Sequence, residues 1–398
     1  MKKLLLSSSL ITLLVMGINF LFKIYLSYKI SKEDIGLFWT FLDVVAVGVM
    51  LFSGFKDSLI LAYDKEDFKK TFFIYIVSFG GLLFIVIFAE LMYYQTLAFE
   101  YPLYYLFMLL FTNLLMIFLS YLNTAYKGYS VMLFENLVMA LSLVGSFFIL
   151  QNFLSTIEAL LYATVGSYIL RSVYIFYGTS IIWHYSRSSF QESKSFFKNI
   201  VYSGGVYFFS GLFISMSGIV LLKLFQNTSI LAEYQVVVRS IFFSLVAVFV
   251  YPLNSFTFPQ ISNFIAQGNI SEIVRIEKKL YFALLLFFAL LLLSTLFTKY
   301  IIGFIFPLEY QESYKMLNIL LPMLPFIAAT TFYLNIIKGF DRFDLALYVR
   351  FFGTLLFFSS IMLFYLLNFD ASSIVYSLDI SFFGMFLLAY IFKKRVLI

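Results

Sequence analysis

The sequence has no cysteine, one histidine, six prolines, and charged residues at only 12% of its 398 positions. Each scarcity closes off a kind of chemistry. Without cysteine there are no disulfide staples, thiolate metal ligands or cysteine nucleophiles. The lone His184 has no second histidine with which to hold zinc, and it sits between Trp183 and Tyr185 near the end of an apolar run. That setting suits an interfacial residue better than a titrating one. A phosphate-cradling glycine loop ending in lysine is missing, and so is an aspartate-rich sugar-nucleotide and metal motif. No catalytic residue, metal site or bound cofactor is therefore expected.

What remains is apolar. Hydrophobic residues make up 62% of the chain, and its charged share is about half the roughly 25% of soluble domains. Runs of about twenty apolar residues recur from end to end, the length that crosses a hydrocarbon core of roughly 30 Å at 1.5 Å per residue. The fold class predicted is an all-α polytopic membrane protein. Spans are expected at 4–28, 36–62, 71–94, 102–126, 131–151, 157–183, 199–225, 230–256, 280–298, 313–337, 343–367 and 372–392. The opening Met1-Lys2-Lys3 and the apolar run behind it resemble a secretory signal, but no alanine precedes Ala46. The small-residue cleavage pattern is thus missing, and the segment reads as a retained first span.

Basic residues set the orientation. One set of alternate loops holds 17 lysines and arginines, the other only Lys29, Lys32 and Lys299, which places both termini in the cytoplasm. The net charge of +6 is mostly this topology signal, so nucleic acid is not an expected partner. The longest connections, 184–198 and 257–279, are too short to fold as domains. The expected organisation is a six-helix bundle over 1–186, a cytoplasmic linker over 187–198 and a second six-helix bundle over 199–398, in parallel repeat. Tyr121-Leu122-Asn123 followed by Lys127-Gly128 returns as Tyr333-Leu334-Asn335 followed by Lys338-Gly339. Duplication and convergent helix capping both account for the lysine and glycine; only duplication accounts for the tyrosine, leucine and asparagine.

Charges inside the spans need a reason. Lys23, Asp43, Glu135, Arg171, Arg239, Arg350 and Asp379 all fall there, and four basic residues facing lipid would cost about 10 to 14 kcal/mol. They must face protein or water. Ser8, Thr12, Asn19 and Lys23 share one side of the first span, Thr164, Ser167 and Arg171 one side of the sixth, and Gln235 and Arg239 lie four apart in the eighth. Such stripes suit a wet groove. Lys23 also lies within snorkelling reach of the headgroups, Lys56 and Lys223 read as anchors at span ends, and for Arg171 an internal pair with Asp43 or Glu135 competes with a substrate contact. Asp43 and Glu135 are candidates for holding a coupling sodium ion or proton, or for a structural ion pair. Gly204, Gly205, Gly211 and Gly218 in span seven permit either close packing or bending of a gate.

The basic start with Ser7 to Ser9, the polar-faced span ending near Lys23, the run Ser31-Lys32-Glu33-Asp34-Ile35-Gly36 and the basic central loop together resemble one family. This is the Wzx-type polysaccharide flippases of the multidrug, oligosaccharidyl-lipid and polysaccharide (MOP) exporter superfamily. The resemblance implies a MATE-like fold of two pseudo-symmetric six-helix bundles around a central cavity, with Lys23, Asp43 and Arg239 on cavity-lining spans. It leaves Arg171 and Arg350 on spans less regularly assigned to it. It also implies a flippase, not an enzyme, in the bacterial inner membrane. The partners would be a polyprenyl-pyrophosphate-linked oligosaccharide, membrane lipids and the proteins of glycan assembly, such as a polysaccharide polymerase. Three other readings remain open, one of them a scaffold with no transport role. A multidrug or small-solute cation antiporter on the same fold would be expected to carry more interior carboxylates than interior basic residues, and here the basic residues lead. A glycan polymerase or ligase would be expected to carry a long outer loop, and the outer loops here are short.

Overall fold

The computed structural model describes residues 2–56, 59, 68–97, 101–126, 129–179, 194–340 and 342–397, and these form helices with no strand among them. In chain order the helices are α1 (Lys2–Ser27), α2 (Lys32–Met50), α3 (Phe68–Leu97), α4 (Leu103–Ala125), α5 (Tyr129–Leu150), α6 (Thr156–Gly178) and α7 (Lys194–Val220). There follow α8 (Thr228–Ala232), α9 (Arg239–Ala266), α10 (Ile270–Ser294), α11 (Thr298–Ile305), α12 (Tyr314–Leu320), α13 (Leu324–Gly339), α14 (Phe343–Leu366) and α15 (Ser373–Leu397). His184, Trp183, Lys127, Gly128 and residues 187–193 of the expected linker lie outside the described residues.

Among the described residues, ten stretches are long and apolar enough to cross a membrane, and an eleventh counts if α10 and α11 form one bent element. The remaining expected span begins as α2, whose 19 residues include Lys32, Glu33, Asp34 and Asp43. Helix starts follow their caps. Ser155 and Glu158 form a reciprocal capping box on α6, Ser31 Oγ accepts from the Asp34 amide at 3.2 Å ahead of α2, and Asn227 accepts from the Ile230 amide at 3.0 Å ahead of α8.

Two expected boundaries are corrected. Span nine is expected at 280–298, but the helix runs from Ile270 to Ser294 and then turns through 64° into α11. Neither glycine nor proline causes the turn. Instead Asn318 on α12 donates to the Thr295 carbonyl at 3.2 Å and accepts from Thr298 Oγ1 at 2.6 Å, satisfying groups that the break releases. The connection expected over 257–279 is largely helical as well. It narrows to a turn at Gln267–Asn269, where Gly268 takes φ +69°, a left-handed conformation that glycine adopts without strain.

The chain packs as two compact units, one of residues 1–30 and 40–211, the other of 31–39 and 212–398. The core of the first gathers Phe52, Phe55, Tyr75, Phe79, Leu114 and Leu122. Tyr75 stacks on Phe118 at 5.0 Å and donates to the Phe118 carbonyl. In the second, Phe213 packs against Phe357 and Phe382. In the first unit α4 and α5 pack on α6, and in the second α13 and α14 pack on α15. The repeated asparagines are both buried, and each meets a threonine hydroxyl, Asn123 accepting from Thr179 at 2.6 Å and Asn335 donating to Thr257 at 2.9 Å. Thr179 caps the end of α6 and Thr257 lies within α9, so the two asparagines use different kinds of partner position.

Candidate functional site

In the first unit, α5 and α6 bring Glu135 and Arg171 together at 3.1 Å, with side chains only 9% and 12% exposed. Ser120 Oγ on α4 lies 3.2 Å from both Glu135 oxygens. Of the two internal partners weighed for Arg171, the structure supplies Glu135. The companions in its stripe, Thr164 and Ser167, are buried and turn their hydroxyls back on their own helix, donating to the Leu160 and Thr164 carbonyls at 2.7 Å. This face is packed protein interior and not the wet groove that its spacing suggests. Asp43 on α2 is buried and Lys23 on α1 is half-buried.

Several interior charges are not evident from the sequence, and among the described residues Glu90 is the one of them left without a full set of partners. Glu90, near the end of α3, is 7% exposed, and its Oε2 has no hydrogen-bond partner among the described residues. It lies against α2 at Gly48, where a Cβ would come within 3.0 Å of Oε1. Glycine there makes room for the carboxyl. With Glu90 and the buried Glu233 counted, the carboxylates Asp43, Glu90, Glu135, Glu233 and Asp379 within the spans are no fewer than the basic residues Lys23, Arg171, Arg239 and Arg350. The lead of basic residues that weighs against an antiporter therefore disappears.

In the second unit, the chain between α8 and α9 winds as a π turn over Glu233–Val238, all six residues buried. Arg239 follows it, half-buried, and donates from Nη1 to Gln235 Oε1 at 2.9 Å. The two residues expected to share a face of the span thus bond to each other. Ser240 Oγ reaches back five residues to the Gln235 carbonyl at 3.3 Å, so side chains tie down the wider turn. Such local widenings of a helix recur at functional sites. Arg350 on α14 lies 3.7 Å from the Met385 sulfur of α15. Asp379 on α15 keeps a buried Oδ1 without a hydrogen-bond partner among the described residues.

Two further ion pairs bind helix ends. Lys32 meets Glu233 at 2.7 Å, donates to the Glu309 carbonyl at 2.8 Å and lies over the Tyr310 ring, so a lysine read as a loop residue docks the start of α2 on its own unit. Lys393 meets Glu277 at 2.7 Å with both side chains under 10% exposed. Lys56 and Lys223, expected as anchors, are exposed. In α7, Gly204 approaches the Gly54 backbone closely enough that a Cβ at Gly204 would lie 3.4 Å from the Gly54 Cα, and Gly211 faces Met50. Gly218 is buried and Gly205 half-buried.

No family model matches the chain, and no curated protein matches it in sequence. Solved structures do. A multidrug resistance MATE family transporter of the MOP superfamily, in its inward-facing conformation, superposes with a TM-score of 0.72 at 14% identity, covering 95% of this chain and 94% of the other. This chain has the MATE fold. A point mutant of the MATE transporter VcmN from Vibrio cholerae matches with a TM-score of 0.68 at 14% identity, over 99% of this chain and 96% of that one. A MOP superfamily transporter from Pyrococcus furiosus, described as having a binding pocket of reverse polarity that suggests a different function, matches at 0.65 and 15% identity over 99% and 96%. The MATE fold thus extends along nearly the whole chain, and its known examples here are transporters.

Proposed function

We propose that the chain is a flippase that moves a polyprenyl-pyrophosphate-linked oligosaccharide from the cytoplasmic to the outer leaflet of a bacterial inner membrane, with both termini cytoplasmic, for surface polysaccharide synthesis. The observation that carries this reading is Arg239, a half-buried guanidinium within an apolar span, clasped by Gln235 at 2.9 Å behind a π turn. A pyrophosphate cannot be drawn through hydrocarbon unpaired, and a guanidinium fork held in one orientation meets phosphate oxygens two at a time. Lys23 and Arg350 add positive charge on other helices, while the charge of Arg171 is balanced by Glu135. A sodium ion or proton bound near Asp43 would supply the drive.

The test is complementation of a flippase-deficient bacterium, with membrane levels of each variant checked by immunoblot. Arg239→Ala and Lys23→Ala are expected to lower surface glycan, with Arg239→Lys recovering part of it. Full restoration by both alanine variants would end the proposal.

A second reading has its own support. Glu90 and Asp379 present buried carboxyl oxygens without hydrogen-bond partners among the described residues, which suits a cation-coupled antiporter for drugs or small solutes. Dye efflux from inverted vesicles separates the two. If efflux depends on sodium or protons and disappears with Glu90→Gln, while Arg239→Ala leaves it unchanged, the antiporter replaces the flippase.

A further inference from the structure

The second unit carries a cavity of about 590 Å³ that none of the charged groups above lines. Tyr281, Leu285 and Phe288 of α10 form one wall, Pro325 and Ala329 of α13 another, and Phe386 of α15 closes it. Its depth has a local cause. Pro325 and Ala329 stand one turn apart on α13 and leave a shallow channel opposite the large side chains of α10, while Phe326 stacks edge-on against Phe288 and Phe386 and holds the walls apart. From Tyr281 to Phe288 the channel climbs seven residues, roughly 10 Å at 1.5 Å per residue, against about 15 Å of hydrocarbon in one leaflet.

Three lysines flank the helix ends at the Tyr281 side of the channel. Lys278 and Lys279 lie one turn before Phe282 on α10 and are exposed. On α15 the same face continues from Phe386 through Tyr390 to Lys394, which is exposed and sits 4.5 Å over the Tyr390 ring. Beneath this rim Lys393 is held by Glu277, which also accepts from Tyr281 at 2.7 Å, and Tyr281 in turn meets the Tyr333 hydroxyl. That polar floor fixes the rim of the channel while leaving Lys278, Lys279 and Lys394 directed outward. The geometry points to a binding site for one anionic phospholipid, with an acyl chain in the channel and the headgroup phosphate against these three lysines. Apolar walls alone would accept any lipid; the lysine rim selects the negative headgroup.

Full-length protein, delipidated in detergent, is titrated with phosphatidylglycerol and with phosphatidylcholine and read by native mass spectrometry. One phosphatidylglycerol per chain is expected to be retained in preference to phosphatidylcholine. The exposed triple variant Lys278→Gln/Lys279→Gln/Lys394→Gln should weaken that retention by about a hundredfold, from about fivefold per lysine, with its unfolding midpoint in detergent unchanged. Ala329→Phe, which fills the channel, should abolish retention with the lysines intact. Equal retention of the two lipids, or undiminished phosphatidylglycerol binding in the triple glutamine variant, overturns the assignment. So does displacement of phosphatidylglycerol by undecaprenyl phosphate at lower concentration, which would make the channel a seat for a prenyl carrier. None of these outcomes bears on Arg239, so the site stands or falls apart from the proposed flippase activity.

Discussion

Removing one partner of the Arg171 and Glu135 pair should be far more damaging than removing both. The two groups meet at 3.1 Å with side chains 12% and 9% exposed, so either one alone is left as a charge in an apolar interior. Breaking such a pair costs about 3 to 5 kcal/mol, whereas replacing both members by apolar residues of similar size is often neutral. Arg171→Met leaves Glu135 with the Ser120 hydroxyl at 3.2 Å as its one remaining side-chain partner among the described residues. Glu135→Leu strands Arg171 beside the Met139 sulfur at 3.5 Å, a weak acceptor. Each single variant is expected to lose about 3 kcal/mol or more, and the double variant less than about 1.5 kcal/mol, giving a coupling energy of at least about 4.5 kcal/mol. The measurement is SDS-induced unfolding in mixed micelles, followed by the fluorescence of the chain's two tryptophans. If the double variant loses as much as the two singles added together, Arg171 and Glu135 act on separate partners and the pairing argument is wrong. Transport by the double variant adds a second reading: near-normal activity marks the pair as structural, and lost activity with stability intact returns Arg171 to the substrate.

Lys393→Ala should destabilise by about 3 kcal/mol, since it leaves Glu277 buried, while its exposed neighbour Lys394→Ala should shift the same unfolding midpoint by no more than about 0.5 kcal/mol. Asn335→Ala removes the bond to Thr257 and should cost about 1 to 2 kcal/mol by the same assay, with Thr257→Val costing no more than that. Because the chain has no cysteine, single introduced cysteines report sidedness without background. Asn152→Cys and Asn368→Cys are expected to react with an impermeant maleimide on intact cells, and Asn269→Cys only after lysis; the reverse pattern would invert the proposed orientation.

The spans are legible in the sequence because hydrocarbon thickness imposes a length that composition alone displays, and the shared face of Gln235 and Arg239 is legible because they stand four residues apart. What the sequence conceals has tertiary causes. Glu90 is embedded in the aromatic and aliphatic run Phe73–Tyr94, where an average over the window hides a single carboxylate. The bend after Ser294 depends on Asn318, about twenty residues further along, and leaves no local proline or glycine to announce it. Glu277 and Lys393 look like loop charges because lysines cluster around them. They become a buried pair only because α10 and α15 continue as helices past the expected span limits. Thr164 and Ser167 share a face as expected, but periodicity does not say whether that face meets water or another helix.

The glycines of α7 test how far spacing can speak for motion. Flexibility and close approach both favour glycine, and the structure separates them at Gly204. A Cβ on Gly54 would lie 2.8 Å from the Gly204 backbone, a contact that only backbone movement relieves, while a Cβ on Gly204 would find the Gly54 Cα at 3.4 Å, an ordinary packing distance. The crossing is therefore asymmetric: Gly54→Ala should cost about 1 to 3 kcal/mol through overpacking, and Gly204→Ala should be neutral or slightly stabilising through its better helix propensity. Bending has a better seat lower in the same span, where the ladder widens into a π turn at Leu221–Phe225 and ends on Gln226 with φ +51°. If Gly204→Ala leaves stability intact but halts transport, flexing at Gly204 is part of the cycle. If transport survives it, Gly204 is a packing residue, and the π turn at Leu221–Phe225 is the next place in the span to test.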